Sequence, residues 1–332
     1  MATTTPVAAG KQIQTLDREA ARARWLSGAT AALGVVLAAA GLSCGGSGSS
    51  PSPVPADPSG RFPHPARVAV YVLENRSYDA VIGRPDAPYL NSLARSYALA
   101  TSYYAVAHPS LPNYIALTGG SVYGITTDCS KCDTGGPNIV GQLDDAGYSW
   151  KAYFEDIDSN RRPGPTTHQY NPHYNPFVYY ETVRGVDQNR DRVVGFDPLR
   201  SDLKNGRLAD FIWVAPGVLH DGHNSSLREA DRFASGLIPS ILRELGPNGV
   251  LYLTWDEAAN KDTAGVGGSP GGGHVALITV GGAARRGATT AVPANHYALL
   301  RTIEAGFALP ALGRAGSPST PLLSGLLKPK GQ

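Results

Sequence analysis

Ala66-Arg-Val-Ala-Val-Tyr-Val-Leu73 is the stretch on which the fold turns. Apart from Arg67 it is apolar, rich in Val and free of polar alternation, which suits a strand buried on both faces of a parallel sheet. Residues 208–214, 249–255 and 275–280 repeat the pattern, while 228–245 and 296–307 have helical length and apolar spacing. Strands alternating with helices argue for an α/β sandwich. From 119 to 202 the chain is dense in Tyr, Pro, Asn and Asp, and reads as long loops with local structure.

The composition limits what surrounds that stretch. The chain has 332 residues, 42% hydrophobic and 17% charged, and its only apolar run approaching membrane length is N-terminal. That excludes wholesale disorder, collagen, coiled coil and a polytopic membrane protein, and leaves one domain of about 270 residues or two small ones. Net charge is +2, all of it supplied by the first 43 residues through Lys11, Arg18, Arg22 and Arg24 against Asp17 and Glu19. A neutral body gives no reason to expect a nucleic-acid partner.

The N-terminus reads as an address. Arg18, Arg22 and Arg24 precede the apolar run 25–42, which ends at Gly41-Leu42-Ser43-Cys44. Residues 1–43 are thus a signal peptide, similar to a bacterial lipoprotein signal in which Cys44 becomes the lipidated first residue. Gly41 stands where such signals usually carry Leu. Cleavage near 38–40 and an uncleaved anchor stay open, and all three readings export the protein. Residues 44–65, Gly/Ser-rich and then Pro-rich, read as a tether to a domain over 66–332. With Cys44 lipidated, Cys129 and Cys132 are left as a close pair in an oxidising compartment, read as a small-loop disulfide. A redox pair and half a zinc knuckle are the alternatives.

Polar residues fall where strands end. The first strand runs into Glu74-Asn75-Arg-Ser-Tyr-Asp79, the 208–214 strand leads to His220-Asp221-Gly-His223, and the 249–255 strand stops at Asp256-Glu257. In open α/β sheets ligands gather outside the carboxyl ends of strands, and carboxylates with an Asn oxygen suit a divalent cation. In Ala107-His-Pro-Ser110-Leu-Pro-Asn-Tyr114, Pro112 suits a first helical turn and Gly119 an end, placing Ser110 near the N-cap. The free N–H groups there favour a phosphate oxyanion, and a metal on the same hydroxyl would generate an alkoxide. A plain capping serine is the alternative.

Together, Glu74-Asn75-Arg-Ser-Tyr-Asp79 with Gly83, His108-Pro-Ser-Leu-Pro-Asn-Tyr114, Lys151-Ala-Tyr-Phe-Glu-Asp156, Asn175-Pro-Phe177, Asp221-Gly-His223, Asp256-Glu257 and the run 295–304 resemble the bacterial phosphoesterase family. That family holds acid phosphatases and phosphocholine-preferring phospholipases C within the alkaline phosphatase superfamily. The resemblance implies an alkaline-phosphatase-like α/β/α sandwich with a central, mostly parallel sheet, and hydrolysis through a phosphoserine. It implies a single divalent cation held by Glu74, Asn75, Ser110, Asp256 and Glu257, with Ser110 as nucleophile. It also brings Asn75, Asp221, His173 and Asn175 to the substrate, with His173 displaced by one residue because Tyr174 stands before Asn175; His296, which opens the last helix, is a further substrate-binding candidate from its position. Gly217 replaces an Asn common in relatives.

His223 is our first choice to protonate the leaving alcohol. His274 and His296 are candidates to face the strand ends, His108 adjoins Ser110, and His64, His168 and His220 read as loop or surface residues. Tyr170, Tyr174, Phe177, Tyr179 and Tyr180 read as packing, or as a wall for an organic leaving group. The expected partners are a small phosphorylated substrate and, through the anchor, a membrane, for a monomeric protein. Three classes remain: phosphomonoesterase, phosphodiesterase or phospholipase C, and non-catalytic surface lipoprotein. The chain stops 25 residues after Phe307, short of the extra C-terminal domains usual in those phospholipases C, which favours the first.

Overall fold

The computed structural model describes residues 54–157 and 170–329. The leader, Cys44 and His168 lie outside the described residues. Strand β1 (Val54–Pro55) precedes β2 (Arg67–Leu73), whose Val, Ala, Tyr and Leu side chains are all buried. That full burial follows from position, for β2 lies in the middle of a nine-stranded sheet. It pairs in parallel with β6 (Phe211–Ala215) on one side and with β7 (Gly249–Trp255) on the other. Next to β6 run β4 (Trp150–Phe154) and β5 (Val193–Val194), also parallel. Beyond β7, β8 (His274–Val280) is antiparallel to both β7 and β3 (Ala98–Tyr104). Short strands β9 (Thr289–Thr290) and β10 (Ala294–Asn295) pair with β3 in parallel. The sheet is therefore mostly parallel, with β8 the reversed strand.

Helices cover the sheet in two groups. Helix α1 (Pro88–Ser96) packs on α5 (Leu227–Leu245), which also meets α4 (Phe196–Lys204). Helix α2 (Ser110–Gly119) packs on α6 (His296–Gly306) and α3 (Ile139–Asp145). Local chemistry sets their ends. The Ser226 side chain accepts the Glu229 N–H at the start of α5, and Asn295 accepts the Tyr297 N–H at the start of α6. Helix α2 closes on Gly120 at φ 69°, where a Cβ would lie 2.2 Å from the Leu312 carbonyl oxygen, so only glycine fits.

Three expectations change. The packed body starts by Val54, not at 66: β1 pairs antiparallel with β11 (Pro310–Ala311), Ala56 and Phe62 are buried, and the Arg301 guanidinium donates to the Ala56 carbonyl. The stretch 119–202 holds α3, β4, β5 and most of α4, which short lengths and half-exposed positions such as Lys151 disguise. The strand expected at 208–214 starts at Phe211, because Leu208 and Ala209 precede it outside the ladder.

Candidate active site

Parallel pairing of β2 and β7 decides where the acids go. Leu73 is in register with Trp255, so Glu74 and Asp256 leave adjacent strand ends side by side. The turn at Asn75 takes φ 42°, a left-handed conformation that Asn tolerates better than most residues. There its N–H donates to Asp256 Oδ1 at 2.9 Å and its carboxamide donates to Glu257 Oε1 at 2.6 Å. Ser110 is the first residue of α2, one place beyond the N-cap, Pro109. Its Oγ lies 3.3 Å from Glu74 Oε2, 3.4 Å from Asn75 Oδ1 and 3.2 Å from Glu257 Oε1. Glu74, Asn75, Ser110, Asp256 and Glu257 therefore converge.

The cluster is held from behind. Tyr114, one turn after Ser110, donates its hydroxyl to Glu74 Oε1. His108 Nε2 is 2.9 Å from the Asp262 carbonyl and so donates there, while Nδ1 is 2.5 Å from Glu257 Oε2, a contact that requires a proton between them. His296, fully buried, has Nε2 2.5 Å from the Asp256 carbonyl and Nδ1 2.8 Å from the Tyr103 hydroxyl. Carbonyl and hydroxyl fix its neutral tautomer, and burial lowers its pKa to about 4.

The electrostatics ask for a positive charge. Burial, then Asp256, pushes the Glu74 carboxyl well above the carboxylate range. Burial, then Glu257, does the same to Asp256, and burial raises Glu257 to about 7. Asp256 Oδ2 is buried without a hydrogen-bond partner among the described residues. An octahedral oxygen shell at roughly 2.1 to 2.4 Å from a cation has edges of about 3.0 to 3.4 Å, the spacing of Ser110 Oγ from its three neighbours. Among the described residues no three His, Cys, Asp or Glu groups already close around one point. Two of the donors are Asn and Ser, and the orphaned Asp256 oxygen marks the open side. The residues present fit one hard cation.

Other expected residues stand differently. Asp221 is fully buried and spent on its own loop: it accepts from the His223 and Asn224 N–H groups, the Asn224 carboxamide and the Tyr174 hydroxyl. It shapes the site wall and does not reach for substrate. Asn175 is likewise buried, its Oδ1 accepting the Phe177 N–H and its Nδ2 donating to Tyr170. Both ring nitrogens of His296 are taken, so it positions Asp256 and cannot touch substrate. His274 stacks on Tyr78 and bonds the Thr101 carbonyl, away from the acids. The aromatic cluster is packing, with Tyr170, Tyr174, Phe177, Tyr179 and Tyr180 all buried. His220, read as surface, is half-buried with Nδ1 2.8 Å from Glu155 Oε2. His223 is exposed and makes no side-chain bond to a described residue.

His173 lies near the site, its Nδ1 4.0 Å from Asp128 Oδ2. Asp128 escaped the sequence reading; its Oδ1 accepts the Leu111 N–H at 2.8 Å, and its charge helps raise Glu257. Tyr114 was missed too, although it falls at i+4 from Ser110 and so on the same helical face. Cys129 and Cys132 form a disulfide. A cleft of about 460 Å³ opens between α4 and α5, floored by Phe196, Leu203 and Phe233, but none of the acids lines it.

The profile of the phosphoesterase family matches residues 83–310. A probable acid phosphatase of Kluyveromyces lactis is 26% identical over 262 residues, covering 75% of this chain and 59% of the yeast protein. A phosphatidylinositol-3-phosphatase of Mycobacterium tuberculosis is 28% identical over 252 residues, covering 75% of this chain and 79% of that one. In fold, a protein in the alkaline phosphatase superfamily from Vibrio parahaemolyticus superposes with a TM-score of 0.55 at 14% identity, over 79% of this chain and 74% of that one. With two thirds of its length matched by the family profile and an alkaline-phosphatase-like sheet presenting the acids, the chain belongs to the phosphoesterase family.

Proposed function

We propose that the protein is a metal-dependent phosphoric ester hydrolase that cleaves phosphate monoesters through a phosphoserine on Ser110. The observation that carries this reading is Ser110 Oγ, set at the start of a helix within 3.4 Å of Glu74, Asn75 and Glu257. A divalent cation bound by Glu74, Asn75, Ser110, Asp256 and Glu257 would neutralise the acids, bind the phosphate and lower the serine pKa. Ser110 Oγ then attacks phosphorus in line, its proton passing to Glu257, the nearest carboxylate. The P–O bond to the alcohol breaks as the Ser110–phosphorus bond forms, and His223, exposed and unengaged, protonates the alcohol. Water next cleaves the phosphoserine. The Ser110 N–H, the one first-turn donor of α2 left once Leu111 is held by Asp128 and Pro112 has none, and the Asn75 carboxamide steady the phosphoryl oxygens. The acid phosphatase names of several relatives favour monoesters. The mycobacterial relative's name favours a phosphorylated lipid headgroup as the second reading. We also propose export, with Cys44 as a lipid anchor.

The test is Ser110→Ala. Ser110 Oγ makes no capping bond but is buried among the acids it hydrogen-bonds, so the substitution should change stability by no more than about 1.5 kcal/mol. It should lower turnover of a chromogenic monoester on the order of 10³-fold or more. Enzyme quenched during turnover should carry a phosphoryl group on the Ser110 peptide. A folded Ser110→Ala protein working near the wild-type rate overturns the reading.

A further inference from the structure

The sequence left the pair Cys129 and Cys132 without a task, and the reaction above uses neither them nor Asp128. We infer that Asp128 is a positioning residue: it caps the nucleophile's helix from a distant loop, and the Cys129–Cys132 disulfide fixes where it stands. The inference rests on the reading of Ser110 as nucleophile.

Helix α2 lacks a cap of its own, because its N-cap is Pro109, which has no side-chain acceptor. Its first turn carries Ser110, so any shift of that turn moves the nucleophile. Asp128 fills the gap: Oδ1 accepts the Leu111 N–H at 2.8 Å, one residue past the nucleophile. The other oxygen, Oδ2, lies 4.0 Å from His173 Nδ1, beyond hydrogen-bond distance, so the Leu111 contact is the one that holds the helix. A charge at a helix N-terminus is favourable, but this one also raises Glu257 and opposes an incoming phosphate. Its retention there makes sense if holding the helix outweighs that repulsion.

What keeps Asp128 in place is the ring that follows. Asp128 is itself a third exposed, on a turn in which the Cys129 N–H bonds the Thr127 carbonyl. The disulfide closes residues 129–132 directly after it, with Cα atoms 5.7 Å apart. Past the ring, Asp133 pairs with Arg184, and Thr134 exchanges backbone bonds with Tyr179 and Glu181. The ring is thus clamped to the segment that carries His173, and the clamp sets the reach of Asp128 to Leu111.

The experiment uses the full chain, saturated with divalent ion, and follows a chromogenic monoester together with rapid-quench measurement of Ser110 phosphorylation. Asp128→Ala should slow phosphorylation and kcat about 10- to 100-fold, while KM and inhibition by inorganic phosphate move less than about threefold. Asp128→Asn keeps an acceptor oxygen for Leu111 and should recover most of the rate. A Cys129→Ser/Cys132→Ser protein should lose part of the rate, and adding Asp128→Ala to it should cost less than in wild type, since both act through one contact. Wild-type phosphorylation in Asp128→Ala, or an Asp128→Asn as slow as the alanine variant, overturns the capping role. Fully additive losses overturn the link to the disulfide. Absence of any phosphoserine in wild type overturns the Ser110 reading instead.

Discussion

Tyr114→Phe tests how the second layer of the site works. The hydroxyl it removes is, among the described residues, the sole hydrogen-bond donor to Glu74 Oε1, and Glu74 is 1% exposed, so no water replaces it. The ring stays, with its neighbours Tyr174 and Trp213 at centroid distances of 6.2 Å, so packing is preserved. In the metal-free protein burial and Asp256 already favour a protonated Glu74, and the lost bond matters little. In the loaded protein Glu74 must be ionised, and a hydrogen bond to a buried charge contributes about 1.5 to 3 kcal/mol. The loss therefore falls on cation affinity, at about 10- to 150-fold, with each 1.4 kcal/mol worth roughly tenfold. Competition against a fluorescent chelator measures it directly. At saturating metal, kcat should stay within about threefold of wild type, because Tyr114 touches neither phosphorus nor nucleophile. Unchanged metal affinity would show that the Glu74 carboxylate does not face a cation, and the assignment of the site would fall with it.

Three further outcomes follow from the same contacts. Asp256→Asn removes one of the mutually repelling buried acids, so the metal-free protein should melt higher by a few °C, about 1 kcal/mol, while metal-dependent activity collapses; a lower melting temperature in calorimetry refutes the repulsion. Glu304, 0% exposed with Oε2 unpartnered, has its pKa held well above the ordinary value of 4.5 by burial. Its stabilising contribution is full below 4.5 and declines as pH rises toward the folded value, so Glu304→Gln should flatten the fall of stability with pH in urea titrations from pH 4 upward, and an unchanged slope counts against it. Cys44→Ser should move the protein from the membrane fraction to the soluble one with activity intact, and unchanged partitioning sinks the lipid anchor.

The parts of the fold legible in the sequence are those where one rule acts alone. Residues 249–255 match β7 at both ends because a strand buried on both faces needs unbroken apolar sequence, and Asp256 stops it. Helices α5 and α6 were found within one residue at each end, since Ser226 and Asn295 cap them locally. Strand β3 was not found, because Thr101 and Ser102 are half-exposed beside the shift in its ladder with β8 and break the apolar run. The dozen residues from Val54 failed for another reason: Pro-rich sequence carries no periodicity, and what orders it is pairing with Pro310 and Ala311, far along the chain.

The same distinction divides the site. The five oxygen donors are readable because each sits at a strand end or helix start, places defined by local sequence. Their supports are contacts between distant segments: His108 with Glu257, 149 residues apart, Tyr114 with Glu74, 40 apart, and His296 with Asp256, 40 apart. Sequence spacing tells which face of an element a residue occupies, so Tyr114 could be placed beside Ser110, but only the strand order says that Glu74 lies opposite that face. The errors follow that pattern. Asp221 and Asn175 were expected at the substrate because they lie in the right loops, yet both are turned inward to accept backbone N–H groups of their own loops, a demand set by the loop's own backbone. An acid or amide at a strand end is thus a ligand candidate only if its own loop does not use it first. Glu74 and Asp256 pass that test: among the described residues Asp256 Oδ2 has no hydrogen-bond partner, and the side-chain donors to Glu74, Ser110 and Tyr114, both come from helix α2.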